Sequence, residues 1–309
     1  MKILLTGSEG MVGMNIREKI PDKEFVLLCP DINELNLLDY TAVFHYVKVH
    51  KPEMVIHAAG IVGGIQANIK NPVKFLVENA DLGKNLILAL KENGIKKLLN
   101  LGSSCMYPRN APNPLKEEMI LKGELEPTNE GYALAKIFTQ RLCEYICRED
   151  NKYRYKTLVP CNLYGRWDKF DQENSHLIPA AISKIHKAMV NNSPNVEIWG
   201  DGNARREFMY AGDFADFIWF AVERFNYLPM LMNVGLGYDY SINEYYETIK
   251  NVIGYTGEFV HDLTKPVGMS QKLVDISKQR ELGWKAQNPL EDGILKTYKF
   301  FLEKIQKDD

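Results

Sequence analysis

Apolar and polar positions along the chain fall into short blocks of two kinds. Residues 2–6 form an apolar run that ends at Gly7, and 25–29, 54–59, 97–101 and 156–160 are further apolar runs of strand length. Runs this short predict buried parallel strands. Between them, 11–20, 40–50, the stretch from Pro72 to about residue 93, and 129–149 carry apolar residues at helical spacing. Pro72 suits a first helical turn, where its missing N–H is not needed. Strand–helix alternation of this kind predicts an α/β fold: a doubly wound parallel sheet of the Rossmann type, with right-handed crossovers and ligands at the carboxyl ends of the strands.

Past Asn162 the rhythm breaks. A polar and aromatic loop over 164–174 leads to a helix from about His176, and 196–199 reads as a short strand. Residues 212–225 and 231–234 look like a return to the main sheet, while 241–309 hold two or three helices and little strand. The expected organisation is a dinucleotide-binding domain over 1–165, with a return segment at about 212–236. A smaller interleaved C-terminal substrate lobe takes 166–211 and 237–309.

Composition narrows the class without naming it. The 309 residues are 45% hydrophobic and 25% charged, and 38 Lys and Arg against 40 Asp and Glu leave a net charge of −2. That balance has no global field to draw in nucleic acid or an anionic membrane. No apolar run reaches the length of a membrane span, and the N-terminus meets Gly7 too soon for a signal peptide. The five cysteines (Cys29, Cys105, Cys143, Cys147 and Cys161) are odd in number and lack zinc-ligand spacing. They predict free thiols in a reducing, cytoplasmic setting and no metal site.

Thr6-Gly7-Ser8-Glu9-Gly10-Met11-Val12-Gly13 follows a predicted strand and opens a predicted helix. The glycines permit a tight turn, close approach of backbone to a pyrophosphate, and close helix–strand packing. Exposed first-turn N–H groups and the helix dipole favour the anion. Gly7, Gly10, Met11, Val12 and Gly13, with Ala58 and Ala59 after the third strand, are the expected cofactor contacts. Asp31 ends the second strand, where an acid can bind the adenosine ribose; a solvated turn aspartate explains it as well.

Tyr132 and Lys136 form Y-x-x-x-K on a predicted helix and so share one face. An ammonium beside a phenol stabilises phenolate, so Lys136 is expected to lower the Tyr132 pKa. Ser103 and Ser104 follow the fourth strand, and one hydroxyl can bond a substrate carbonyl while hydride moves from a nicotinamide. With the glycine turn, this set reads as a short-chain dehydrogenase/reductase.

At Gly102-Ser103-Ser104-Cys105-Met106-Tyr107-Pro108 the chain resembles the extended short-chain dehydrogenase/reductases, and more narrowly the GDP-L-fucose synthase family of 3,5-epimerase-4-reductases. The likeness continues through Glu34-Leu35-Asn36-Leu37-Leu38-Asp39, Val62-Gly63-Gly64-Ile65, Leu125-Glu126-Pro127-Thr128-Asn129-Glu130, Asn162-Leu163-Tyr164-Gly165, Asn174-Ser175-His176, Trp199-Gly200-Asp201-Gly202, Arg206-Glu207-Phe208 and Leu282-Gly283-Trp284. The resemblance implies NAD(P)H-dependent reduction of the C4 ketone of a GDP-4-keto-6-deoxy sugar, with epimerisation at C3 and C5. It implies Cys105 as base and His176 as acid, on either side of a sugar whose oxyanion Tyr132 and Ser103 hold. A protonated His176 is expected to favour the Cys105 thiolate. The resemblance further implies that Asn162, Lys184, Trp199, Arg206 and Lys272 contact the GDP-sugar, with Arg205 adjoining Arg206. It also implies a homodimer through the two long helices.

Departures from the family pattern sit at the cofactor. Family members hold the NADP 2′-phosphate with arginines, one in the glycine turn and one after the second strand; here Glu9 and Ile32 stand there. The resemblance points to NADP(H), while Glu9 and Asp31 repel a 2′-phosphate and leave NAD(H) open. The competing readings are a C4 reductase of a related GDP-4-keto-heptose without epimerisation, a non-reducing epimerase or a dehydratase, and a non-catalytic dinucleotide-binding protein. Ser104-Cys105 occupy the place of a dehydratase's acidic pair, and an intact Ser103, Tyr132 and Lys136 set argues against a non-catalytic role. Among the remaining residues, His57, Cys143 and Cys147 read as packing groups and His186 as a helix-surface residue.

Overall fold

The computed structural model describes residues 1–21, 25–171, 175–265 and 268–308. The chain opens with β1 (Lys2–Thr6), α1 (Met11–Glu18), β2 (Val26–Leu28), α2 (Tyr40–His50), β3 (Met54–His57), α3 (Ile65–Lys70), α4 (Pro72–Glu92), β4 (Lys97–Leu101), α5 (Glu130–Glu149) and β5 (Arg154–Pro160). The strands lie parallel in the order β10-β5-β4-β3-β1-β2, where β10 is Leu231–Val234, a late return to the sheet. The order reverses between β1 and β3, and the crevice between their carboxyl ends is where such sheets take their ligands.

Alternate residues of each strand serve opposite faces. Ile3, Leu5 and Ile56 enter one buried cluster with α5 and α7 (Ala211–Glu223), while Leu4, Val55 and Leu98 enter another under α2 and α4. At the edge, β2 is shorter than the predicted 25–29, and Val26 is 57% exposed. Sequence reading missed α3, a six-residue helix too short to show a period.

The second half adds β6 (Asn162–Tyr164), α6 (Leu177–Val190), β7 (Asn195–Trp199), β8 (Arg205–Arg206), β9 (Phe208–Tyr210), β11 (Tyr240–Ser241), α8 (Ile242–Ile253), β12 (Glu258–Asp262), β13 (Gln271–Lys272), α9 (Ser277–Glu281) and α10 (Leu290–Asp308). A third apolar cluster, with Ile182, Ile198, Tyr245, Ile249 and Phe301, binds α6, α8 and α10 together. Three small sheets surround it: β11-β8-β13, β12-β7 and β6-β9. This region holds more strand than predicted. The added pieces β11, β12 and β13 are two to five residues long, and β12 is exposed at Glu258, Val260 and His261, so no periodic signal marks them. Among the described residues no helix is long and apolar enough to cross a membrane.

Candidate active site

At the switch point, β1 turns into α1 through Gly7, whose φ of 70° is the left-handed conformation that glycine adopts freely. A Cβ there would stand 2.6 Å from the Ala59 backbone, and one on Gly13 would stand 2.1 Å from the Gly7 carbonyl oxygen. Both close approaches need glycine. Helix α1 begins after Gly10 with no side chain capping its first-turn amides, so Met11 and Val12 open a bare N-terminus beside the half-buried Ala58 and Ala59. This cradle fits a dinucleotide pyrophosphate. In the glycine turn Glu9 is exposed, and past the end of β2 Ile32 is 70% exposed. One Asp31 oxygen accepts from the amides of Asn33 (2.7 Å) and Glu34 (2.9 Å), so that oxygen is committed to its own turn.

Helix α5 and the loop after β4 bring the predicted triad together. Ser103 caps a short 3-10 turn, its Oγ accepting from the Cys105 amide at 3.2 Å, and its hydroxyl hydrogen-bonds the Tyr132 phenol. Lys136 Nζ lies 5.8 Å from the Tyr132 ring centroid and donates to the Leu101 carbonyl at 3.1 Å. A Cβ on Gly60, just past β3, would stand 3.5 Å from that same nitrogen, which places Lys136 beside the crevice. The Tyr132 pKa moves opposite to the sequence expectation. Burial raises it well above the ordinary phenol value, nearby Cys105 raises it further, and only the Ser103 bond lowers it. Burial also pushes Lys136 down to about 8, with Cys105 opposing. Desolvation dominates here, so Tyr132 holds its proton at neutral pH.

Cys105 shares this pocket. Its sulfur accepts from Asn129 Nδ2 at 3.2 Å and from Lys272 Nζ at 3.7 Å. His176 is half-buried at the N-cap of α6, and Asn174 of its motif lies outside the described residues. Burial lowers the imidazole pKa, and Lys272 and Lys169 lower it further. The expectation of an imidazolium beside Cys105 is therefore corrected: the cation at the sulfur is Lys272, and it disfavours a charged His176.

Lys272 and Arg206 are register partners across the parallel pair β13–β8. Arg205 is held by Asp239 at 2.7 Å and by Glu244, whereas Arg206 turns inward, where burial lowers its pKa against the pull of Glu126 and Asp239. The neighbouring Asn162 donates through Nδ2 to the Glu207 carbonyl at 2.9 Å. Lys184 and Trp199 form a second group around Glu197: the indole N–H donates to its carboxylate at 2.9 Å, and Lys184 donates to its carbonyl. Trp199 remains 44% exposed. Sequence reading missed Asn129 as a partner of the thiol and Glu207 as a framework group, though both stood inside quoted motifs.

Of the remaining groups, His57 is buried against Thr6 (Oγ1 to Nδ1, 2.8 Å), and burial and Lys136 push it down to about 3. Cys143 and Cys147 pack on α5, both raised by burial. His186 departs from the surface reading: it bonds Tyr298 at 2.9 Å and packs edge-on to Phe301 between α6 and α10. Among the described residues no cluster of His, Cys, Asp or Glu is placed to hold a metal.

Residues 3–235 match the NAD dependent epimerase/dehydratase family. The chain is 57% identical to the GDP-L-colitose synthase of Yersinia pseudotuberculosis, covering 100% of both chains. It is 48% identical to the GDP-L-fucose synthase of Azorhizobium caulinodans, covering 97% of this chain and 96% of that one. In fold it is similar to a GDP-mannoheptose C4 reductase from Campylobacter jejuni, solved with NADP bound, at a TM-score of 0.88 and 33% identity over 97% of this chain and 98% of the other. The chain therefore belongs to the NAD dependent epimerase/dehydratase family, among relatives that include GDP-L-fucose and GDP-L-colitose synthases.

Proposed function

We propose that this protein reduces the C4 ketone of a GDP-linked 4-keto-6-deoxy sugar with NAD(P)H, after epimerisation at C3 and C5. The carrying observation is that Tyr132, bonded to Ser103 and flanked by Lys136, shares one pocket with Cys105. A bound nicotinamide supplies hydride to C4. The chain's own part is proton traffic and charge. Tyr132 is a protonated phenol, which is the form reduction needs, and it gives its proton to the C4 oxygen while Ser103 orients it. Lys136, charged for the most part below about 8, stabilises the phenolate left behind. For epimerisation, Cys105 as thiolate removes a proton next to the ketone, the Lys272 ammonium offsets the charge there, and His176 returns a proton to the opposite face of the enolate. Arg206 and Lys272 suit a diphosphate, and Trp199 suits stacking on a base.

Supporting elements of the reading are a dinucleotide-binding unit over 1–165 with 212–236, and a sugar-nucleotide lobe over 166–211 and 237–309. The family likeness favours NADP(H), while Glu9 and Ile32 favour NAD(H). A homodimer across α4 and α5 is supported by outward Val73 (72% exposed), Val77, Leu134 and Phe138. The five free cysteines suit a reducing, cytoplasmic setting.

A second reading, C4 reduction without epimerisation as on a 4-keto-heptose, is favoured by His176, whose lowered pKa leaves it short of the proton an acid must give. Incubation with GDP-4-keto sugars, including precursors of GDP-L-fucose and GDP-L-colitose, in deuterated water separates the readings. Reduced product with deuterium at C3 or C5 supports the first. Reduced product without deuterium supports the second, and no reduction of any GDP-4-keto sugar overturns both.

A further inference from the structure

Glu207 sits between two strands that carry proposed substrate contacts, and it is fully buried. Its Oε1 accepts from the amides of Leu236 (2.5 Å) and Gly237 (2.9 Å), and its Oε2 from the amide of Val274 (2.9 Å). Its own backbone reaches the other side of the cleft: the Glu207 amide donates to the Lys272 carbonyl at 3.3 Å, and its carbonyl accepts from Asn162 Nδ2 at 2.9 Å. Arg206 precedes it. A Cβ on Gly235 would meet Glu207 Oε1 at 2.4 Å, so the loop after β10 is pressed onto this carboxylate.

A buried carboxylate that accepts three amides from two chain segments is an unusual framework choice, because an apolar side chain there would need no such compensation. What this one joins is the set Asn162, Arg206 and Lys272, which β6, β8 and β13 supply from distant parts of the sequence. We propose that Glu207 is the positioning residue that assembles the GDP-sugar clamp. It ties the Lys272 strand and the loop after β10 to the Arg206 strand, without touching the ligand itself. This rests on the GDP-sugar reading above.

The test is binding, with GDP and NADPH as separate probes. Glu207→Gln keeps one carboxyl-like oxygen for Leu236 and Gly237 but turns an NH2 toward the Val274 amide, so the Lys272 strand must shift. GDP affinity is expected to fall at least tenfold while NADPH affinity stays within twofold, and in turnover the sugar KM rises more than kcat falls. A folded Glu207→Gln protein that binds GDP within twofold of wild type overturns the inference, as does one that loses GDP and NADPH affinity in equal measure. Should the variant not fold, amide exchange on the wild-type protein decides: added GDP is expected to slow exchange over residues 235–237 and 273–275 together. An unchanged rate there, with GDP bound, overturns the role. Failure of wild type to bind GDP at all sinks the GDP-sugar reading with it, and is thereby told apart from failure of Glu207 alone.

Discussion

The Lys272 ammonium lies 3.7 Å from the Cys105 sulfur, and after burial itself the same lysine is the largest cause of His176's lowered pKa. One cation thus stands at the thiol and opposes positive charge at the imidazole. Cys105→Ser is expected to cut solvent deuterium uptake at C3 and C5 by about a hundredfold or more while C4 reduction of an already epimerised sugar persists. Lys272→Met is expected to cut uptake too. NMR of the products in deuterated water checks both; uptake unchanged in Cys105→Ser removes the thiol from the mechanism.

Tyr132 keeps its proton because burial outweighs the hydrogen bond from Ser103. Tyr132→Phe removes the phenol bonded to Ser103. Reduction is expected to slow by about a thousandfold, with NADPH affinity within threefold of wild type. Stopped-flow loss of nicotinamide absorbance gives the rate, and fluorescence titration gives the affinity.

His57 carries a stability signature. Its folded value of about 3 lies below its ordinary 6.5, so its contribution is present above pH 6.5 and is lost as pH falls toward 3. At ~1.4 kcal/mol per unit the full loss is of order 5 kcal/mol. Urea unfolding between pH 7 and pH 4 is expected to show falling stability in wild type and a flatter profile in His57→Asn. Parallel profiles would assign the acid loss to other groups.

The proposed cofactor balance rests on Glu9 and Ile32 standing where family members carry arginines. The variant carrying Glu9→Arg and Ile32→Arg is expected to raise the NADPH-to-NADH affinity ratio at least tenfold, through two charge-assisted contacts to a 2′-phosphate. Calorimetric titration with each dinucleotide reads the ratio directly, and no change would place the 2′ position elsewhere.

Val73→Asp together with Phe138→Asp puts carboxylates on the outward faces of α4 and α5. Light scattering is expected to shift from dimer to monomer. A wild-type protein already monomeric at micromolar concentration ends the dimer proposal.

Much of the central sheet was legible because each buried strand is a short, mostly apolar run and the long helices carry apolar residues at helical spacing; β1, α2, β4 and β10 match the residues expected. The glycine turn and the Tyr132–Lys136 pair were legible because their chemistry needs fixed spacing. Other features were not. The Arg206–Lys272 pairing joins residues 66 positions apart (272 − 206) through two-residue strands, which leave no local pattern. The direction of the Tyr132 shift depends on burial, which spacing does not report. Arg205 and Arg206 are indistinguishable in sequence, and the bridges of Arg205 to Asp239 and Glu244 tell them apart.

The late arrival of β10 and β13 has a consequence for synthesis on the ribosome. The first 160 residues contain the five strands β1 to β5 and the glycine turn, so a nascent chain of that length already holds what a dinucleotide cradle requires. The proposed cationic clamp needs Lys272, which is made 112 residues later (272 − 160). A growing polypeptide therefore acquires its cofactor cradle well before it can grip a nucleotide sugar.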